Sequence, residues 1–512
     1  MTEHEAPSAS NARGGTRARA VVRGTLWSLA GTALPSVVGV VVVPRLVRGF
    51  GAERFGILSL AFAVIGYFSL FDFGIGRAVT HEVSDRVARG EREVLAPTIW
   101  TAWYFMLGVG IVGAIVAALA APFAVARFVH PPEHLYSETS ATFTLLALSI
   151  PVVVVTAGVR GVLEAFQRFD LINAVRVPSG IITFVGPLLT LAFTPSVFAA
   201  VWVLLLARLV MLAAYAAMCL RLVPGLRALV RPSRDVLARL ARFGAWMTVS
   251  NTLSPLMMIA DRFVVSAVIS VAAVTFYATP YDAVTRLLII PSALAGVLFP
   301  TFAAQGASGS DGGIRMLATS YRVIFLAMAP LMGGLILFAP ELLRLWLGSD
   351  FERASSNVLR WIAVGVLANG LAQIAFSYVQ GRGRADLTAK AHLIETPLYL
   401  AGLYSGVKYW GIDGAAAVWC LRAILDLALL TYFARRLANP GATTAATPSH
   451  RIPLIAFGIA LVGGTIGSLG LRLFCLVASM SMFVVAAYRE PGAIALLDRV
   501  RSLGWMRARA AS

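Results

Sequence analysis

Nine ionisable side chains sit within stretches of this chain that are otherwise apolar: Asp72, Arg208, Asp261, Arg262, Asp282, Arg286, Glu395, Arg422 and Asp426. A charge placed among hydrocarbon costs roughly 2.5–3.5 kcal/mol on insertion scales, so such residues mark pathways, ion sites or buried pairs. Their spacing sorts them. Asp282 and Arg286 stand four apart, as do Arg422 and Asp426; on a helix each pair either closes along one face or serves a charged cargo. Asp261 and Arg262 are adjacent and diverge by about 100° on a helix, so at least one needs a partner elsewhere. Arg208 has no acidic residue within two turns and must face water or another helix. Asp72, Glu395 and Asp426 either take up a proton or a sodium ion or satisfy a nearby cation. Arg77, Arg160 and Arg322 fall near the ends of their apolar stretches, where an arginine stem lies in lipid and its head reaches the interface.

The elements that must hold these charges are helices. Apolar stretches of roughly 20 residues, the length that crosses a bilayer, recur along nearly all of the 512 residues. Spans are expected near 24–46, 57–79, 97–122, 141–163, 178–195, 196–220, 243–267, 280–303, 318–338, 357–379, 390–408, 413–434, 453–469 and 471–487. Composition agrees: 58% of residues are hydrophobic and 13% charged, with a mean hydropathy of +0.80, against about 25% charged in a soluble domain. The net charge is +18. Its arginines are spread over alternate joints rather than gathered on one face, which argues against nucleic acid and for the positive-inside rule with attraction to anionic lipid. Cys219, Cys420 and Cys475 lie in apolar spans without metal-ligand spacing, so neither a disulfide framework nor a metal site is expected. No ATPase-type phosphate-binding loop is present, and no cofactor is expected beyond a coupling proton or sodium ion.

Alternate joints carry Arg86, Arg89 and Arg92, then Arg168 and Arg176, then Arg227 to Arg242, Arg315, Arg382 to Lys390, and Arg435 to Arg451. Both termini belong to this set, which places them in the cytoplasm and makes the span number even. Arg45, Arg48 and Arg54 dissent, falling on the outer side. A faint repeat runs through the chain. Thr32-Ala-Leu-Pro35 answers Thr252-Leu-Ser-Pro255, and Ala199-Ala-Val-Trp202 answers Ala416-Ala-Val-Trp419, at offsets near 220 residues. The fold class is therefore all-α integral membrane, with about fourteen transmembrane helices in two pseudo-repeated six-helix lobes plus a C-terminal helix pair. The boundaries read as an N-terminal tail over 1–22, an N-lobe over 23–221, a basic amphipathic linker over 222–242, a C-lobe over 243–436, two accessory spans within 437–488 and a tail over 489–512.

The stretch "GAERFGILSLAFAVIGYFSLFDFGIGRAVTHEVS" from Gly51 to Ser84 resembles the opening of bacterial polysaccharide exporters, the lipid-linked oligosaccharide flippases of the multidrug/oligosaccharidyl-lipid/polysaccharide superfamily. "FYATPYDAVTRLLIIPSALAGVLFPTFA" from Phe276 to Ala303 is similar to their eighth-span pattern, with Pro291 and Phe299-Pro300. The resemblance implies two helical lobes around a central cavity in the inner membrane, and an undecaprenyl-diphosphate-linked oligosaccharide moved from inner to outer leaflet. Polysaccharide polymerases and glycosyltransferases would be its partners. On that reading Arg208, Arg422, Arg262 and Arg286 would face the diphosphate, because a guanidinium stays charged and its donor fork fits phosphate oxygens. Trp246, Tyr277, Tyr281 and Trp419 would either stack on sugars or belong to the interfacial aromatic belt. Three other readings remain: a lipid II flippase, a multidrug antiporter of the same superfamily, and a membrane-embedded polymerase or ligase. The last would need catalytic groups on outer loops, where His130 and His134 are separated by Pro131-Pro132 and read as a solvated turn.

Overall fold

A backbone in hydrocarbon must satisfy its own polar groups, which leaves helices and closed barrels as the spanning forms. The computed structural model describes residues 9–68, 75–228, 230, 232–233, 236–237, 257, 259–307, 312–437 and 451–488, and among these it is helical nearly throughout, with no strand. Ten of the described helices are long and apolar enough to cross a membrane, so the chain is a multi-pass membrane protein. Asp72, Trp246 and part of the 222–242 linker, including all of 238–242, lie outside the described residues.

The chain packs as two compact units. The first comprises Met1–Ile259 with Ser270–Thr275, the second Ala260–Ile269 with Phe276–Ser512. In the first unit the helices are α1 (Ala9–Phe68), α2 (Ile75–Ala88), α3 (Arg92–Ala124), α4 (Glu133–Leu148), α5 (Ile150–Ala165), α6 (Phe169–Thr190) and α7 (Val197–Leu222). There α1 packs on α6, α3 on α5, and α6 on α7. Next come α8 (259–268) and α9 (Val271–Thr285). The second unit continues with α10 (Ile289–Ala307), α11 (Gly312–Leu337), α12 (Ala339–Leu347), α13 (Ser349–Gly381), α14 (Ala385–Arg436), α15 (Arg451–Gly464) and α16 (Leu469–Tyr488). There α13 packs against α10, α11, α12 and α14, and the pair α15 and α16 leans on α11. Arg472 of α16 fastens that pair, bonding Glu341 at 2.9 Å and the Leu337 carbonyl at 3.2 Å.

The most buried span of each unit is α4–α5 in the first and α13 in the second. Glu133 and Ser349 begin them, Ala165 and Gly381 end them, and Phe169 and Ala385 begin the helices that follow; each pair is 216 residues apart (133 to 349, for instance). The joints match in detail. A left-handed residue, Gln167 (φ 56) or Gly383 (φ 75), turns the chain. The next arginine then clasps the aspartate two residues on with both donors: Arg168 on Asp170 at 3.0 and 2.9 Å, and Arg384 on Asp386 at 2.8 and 3.1 Å. Each aspartate also lies in the first turn of its helix, where negative charge meets the positive end of the dipole.

Spans shift from their sequence positions where polar residues belong to a helix. The 178–195 span is in fact Phe169–Thr190, because Asp170, Asn173 and Arg176 continue the helix below its apolar part. The 141–163 span begins at Glu133 and breaks at Ser149 ahead of Pro151. His130 adopts φ 46 and ends the preceding turn, while His134 sits on α4 with Nε2 3.4 Å from Glu53. Beside it, Glu138 accepts from Arg54 at 3.2 Å and from the Val197 amide at 2.6 Å. One of the dissenting arginines thus has a carboxylate partner.

The α14 segment is a hairpin of two arms that reverses at Gly411 (φ 61, ψ −143), a conformation open to glycine and costly for other residues. Beyond the turn the arms touch through glycines: a Cβ on Gly414 would lie 2.0 Å from the Gly406 carbonyl oxygen. Such close approach is how membrane helices associate. Gly414→Ala must therefore push the arms apart, and we expect about 1–3 kcal/mol of destabilisation, read as a lower thermal unfolding midpoint of purified protein. The same substitution at Gly296, where a Cβ meets open space, should leave the midpoint within a degree or two.

Candidate functional site

Three helices of the first unit each turn one polar stripe to a common cavity. From α5 come Thr156 and Arg160, from α6 Arg176, Ser179 and Thr183, and from α7 Arg208 and Tyr215. The spacings of three, four and seven residues put each set on a single helix face. The cavity measures about 280 Å³, and Ile65 of α1 and Leu204 of α7 add apolar wall. Arg160 is held by Glu164 at 3.0 Å, and the Tyr215 hydroxyl donates to the Ile172 carbonyl at 3.0 Å. Among the described residues no carboxylate pairs with Arg208, which is half-buried. Arg160, Arg176 and Arg208 bring three guanidinium groups to this lining from three helices, and such donor forks suit phosphate oxygens.

Glu164 also borders a second, more open cavity of about 550 Å³, lined by Thr80, His81, Ser84 and Asp85 of α2. Thr80, His81 and Ser84 close the Gly51–Ser84 stretch quoted above, and Asp85 follows it. Thr80 donates to the Gly76 carbonyl at 3.0 Å and approaches Glu164 at 3.5 Å.

The charges of the second unit form two groups. In the first, Arg262 of α8 pairs with Asp282 of α9, and Arg286 donates from Nε to the Asp282 carbonyl at 3.1 Å. Asp261 accepts from the Tyr277 hydroxyl at 2.7 Å and from the Arg262 amide at 2.8 Å. The adjacent residues Asp261 and Arg262 thus each find a partner on α9. Tyr277 and Tyr281 stack at 5.8 Å, Trp419 meets Tyr281 edge-on at 5.2 Å, and Arg262 lies over the Tyr281 ring. All three rings are buried and pack against one another. In the second group, on the two arms of α14, Arg422 lies over Tyr399 at 5.5 Å. No ion pair joins Arg422 to Asp426 among the described residues. Asp426 instead stands beside Glu395 and His392.

Arg160 and Arg176 are the cavity residues that sequence reasoning passed over. The first reads as an interfacial snorkel and the second as part of a polar joint. The signal that finds Arg176 is its register with Ser179 and Thr183 on the α6 face.

The fold and these sites define a class: a multi-pass, all-helical membrane transporter with polar stations inside its helical units. Solved structures share the fold, and two serve as examples. One is an inward-facing multidrug resistance MATE family transporter of the MOP superfamily, with TM-score 0.67 and 15% identity, covering 82% of this chain and 96% of that one. The other is the lipid II flippase MurJ in its inward closed conformation, with TM-score 0.66 and 13% identity, covering 91% and 97%. A model of the polysaccharide biosynthesis protein family matches residues 42–356, and the chain belongs to that family. A Shigella flexneri protein named as an O-antigen transporter is 29% identical over 421 residues, spanning 82% of this chain and 99% of its own length. The lipopolysaccharide biosynthesis protein WzxC of Escherichia coli K12 is 21% identical over 425 residues, 80% of each chain.

Proposed function

We propose that this chain flips an undecaprenyl-diphosphate-linked oligosaccharide from the inner to the outer leaflet of the bacterial inner membrane by alternating access. The observation that carries this reading is the cavity lined by Arg160, Arg176 and Arg208 within an otherwise apolar helical unit. Of the whole cargo, the diphosphate is the part that hydrocarbon rejects most, and fixed guanidinium groups offset its desolvation. The prenyl chain needs no such help and stays in lipid. The names of the Shigella and Escherichia coli relatives support an O-antigen or related cargo over a drug, and a positive cavity is poorly suited to cationic drugs.

On this proposal the two compact units are pseudo-repeated six-helix lobes, α15 and α16 are an accessory pair, and both termini are cytoplasmic. Polymerases and glycosyltransferases of the same polymer are the working partners. The test is reconstitution in proteoliposomes with a defined prenyl-diphosphate oligosaccharide, reading leaflet exposure with a lectin. Protein-dependent appearance of the sugar on the opposite leaflet is expected. Rates equal to those of empty vesicles, with the protein folded and inserted, overturn the proposal.

A further inference from the structure

His392 and Glu395 on the first arm of α14 and Asp426 on the second bring one ligand atom each within 4.8 Å of one another. Glu395 is 1% exposed and Asp426 7%. Neither Glu395 oxygen nor Asp426 Oδ1 has a hydrogen-bond partner, and the same holds for His392 Nδ1. Two bare carboxylates at this separation, away from water, cannot both stay ionised at small cost. Charges facing the pair are few. Arg422 acts on Asp426 from one turn back along the same arm, and its guanidinium lies over Tyr399. From α11, Tyr321 faces Asp426 with its hydroxyl bonded to Thr431 at 2.8 Å, and Arg435 lies near that tyrosine. From α13 comes the Phe376 ring, 6.4 Å from the His392 ring.

The charge count excludes a divalent occupant, and the ligand count favours a proton over a monovalent metal ion. Two carboxylates against the nearby Arg422 leave one net negative charge. One proton brings the group to neutrality, whereas a divalent ion would leave an excess positive charge in a low-dielectric setting. A hard metal ion also wants six or more oxygens. Among the described residues the cluster holds two carboxylates and one imidazole, and helical carbonyls are spent within the helix.

We propose that Glu395 and Asp426 hold one proton between them and that His392 passes it in and out. The imidazole is the exposed member, 22% accessible, with Nδ1 3.7 Å from Glu395 Oε2. On loading, the imidazole takes a proton from a hydronium ion, leaving water, and hands it to the carboxylate pair, returning to the neutral form; no bond other than these bonds to hydrogen changes. Intramembrane chains of Asp, Glu and His serve as proton relays in pumps and transporters. The site stands on its own geometry, and only its use in driving the cargo rests on the flippase reading.

The test uses purified, cargo-free protein in lipid nanodiscs, so it is independent of flipping. Infrared difference spectra across a pH titration should show a protonated-carboxyl band that disappears as pH rises. That band should be lost in Glu395→Gln and in Asp426→Asn. In His392→Ala it should persist but exchange with deuterated buffer at least tenfold more slowly. Absence of any titrating carboxyl band in the unmodified protein overturns the proposal without reference to a variant. So does a band unchanged in both carboxyl variants, or one abolished at fixed pH by sodium or zinc. Melting curves run in parallel, and Glu395→Met and Asp426→Leu repeat the test should an amide variant fail to fold.

Discussion

Arg208→Ala should lower the initial rate of glycolipid flipping at least tenfold at equal membrane insertion. A hydrogen bond to a charged group contributes about 1.5–3 kcal/mol, which corresponds to roughly 10- to 150-fold in rate if the interaction forms only on the way across. The arginine lines the cavity with no carboxylate paired to it among the described residues, so its charge is available to cargo and its removal leaves no buried acid behind. Arg208→Lys keeps the charge but loses the planar donor fork and should fall between the two. Arg48→Ala, at an exposed position, should flip at the unmodified rate. The measurement is lectin-accessible sugar against time in proteoliposomes. Equal rates for Arg208→Ala and the unmodified protein would remove phosphate recognition from this cavity.

The second large effect is on stability. Arg262 is buried and pairs with Asp282, whose side chain is 40% accessible, while Asp261 behind it is fully buried. Removing one partner of a buried pair typically costs about 3–5 kcal/mol, because the other charge is left uncompensated. Arg262→Met should fall near the lower end, given the partial exposure of Asp282, and should lower the unfolding midpoint of purified protein by several degrees. The double substitution Arg262→Met with Asp282→Leu should recover more than half of the loss, since an apolar pair of similar volume is often as stable as the ions it replaces. Additive losses in the double variant would mean that the two residues are not coupled.

Helix positions are largely legible in the sequence because hydrocarbon imposes both the length and the apolarity of a span. What is not legible is the polar extension of a helix beyond its apolar window. Arg176 is lost in this way: the window opens at Pro178, yet the helix begins at Phe169. Arg208 is legible because its isolation on a helix demands an external environment. The pairing of Arg262 with Asp282 is not, since the residues lie 20 apart on different helices and local spacing pairs Asp282 with Arg286 instead. His392 shows the same limit. Three residues separate it from Glu395, but its importance comes from Asp426 on the returning arm, which only the reversal at Gly411 brings alongside.

The matched arginine–aspartate clasps at Arg168 and Arg384 make a residue-by-residue register possible. Moved forward by the same interval of 216 (168 to 384), Arg176 falls on His392 and Ser179 on Glu395. A duplicated ancestral gene would thus have left one station in two copies. In this chain the first copy carries Arg176 and Ser179 at that address and the second carries His392 and Glu395. If the two proposals above hold, the sign of the charge at a shared address tells the cargo-facing copy of this chain from the proton-holding one.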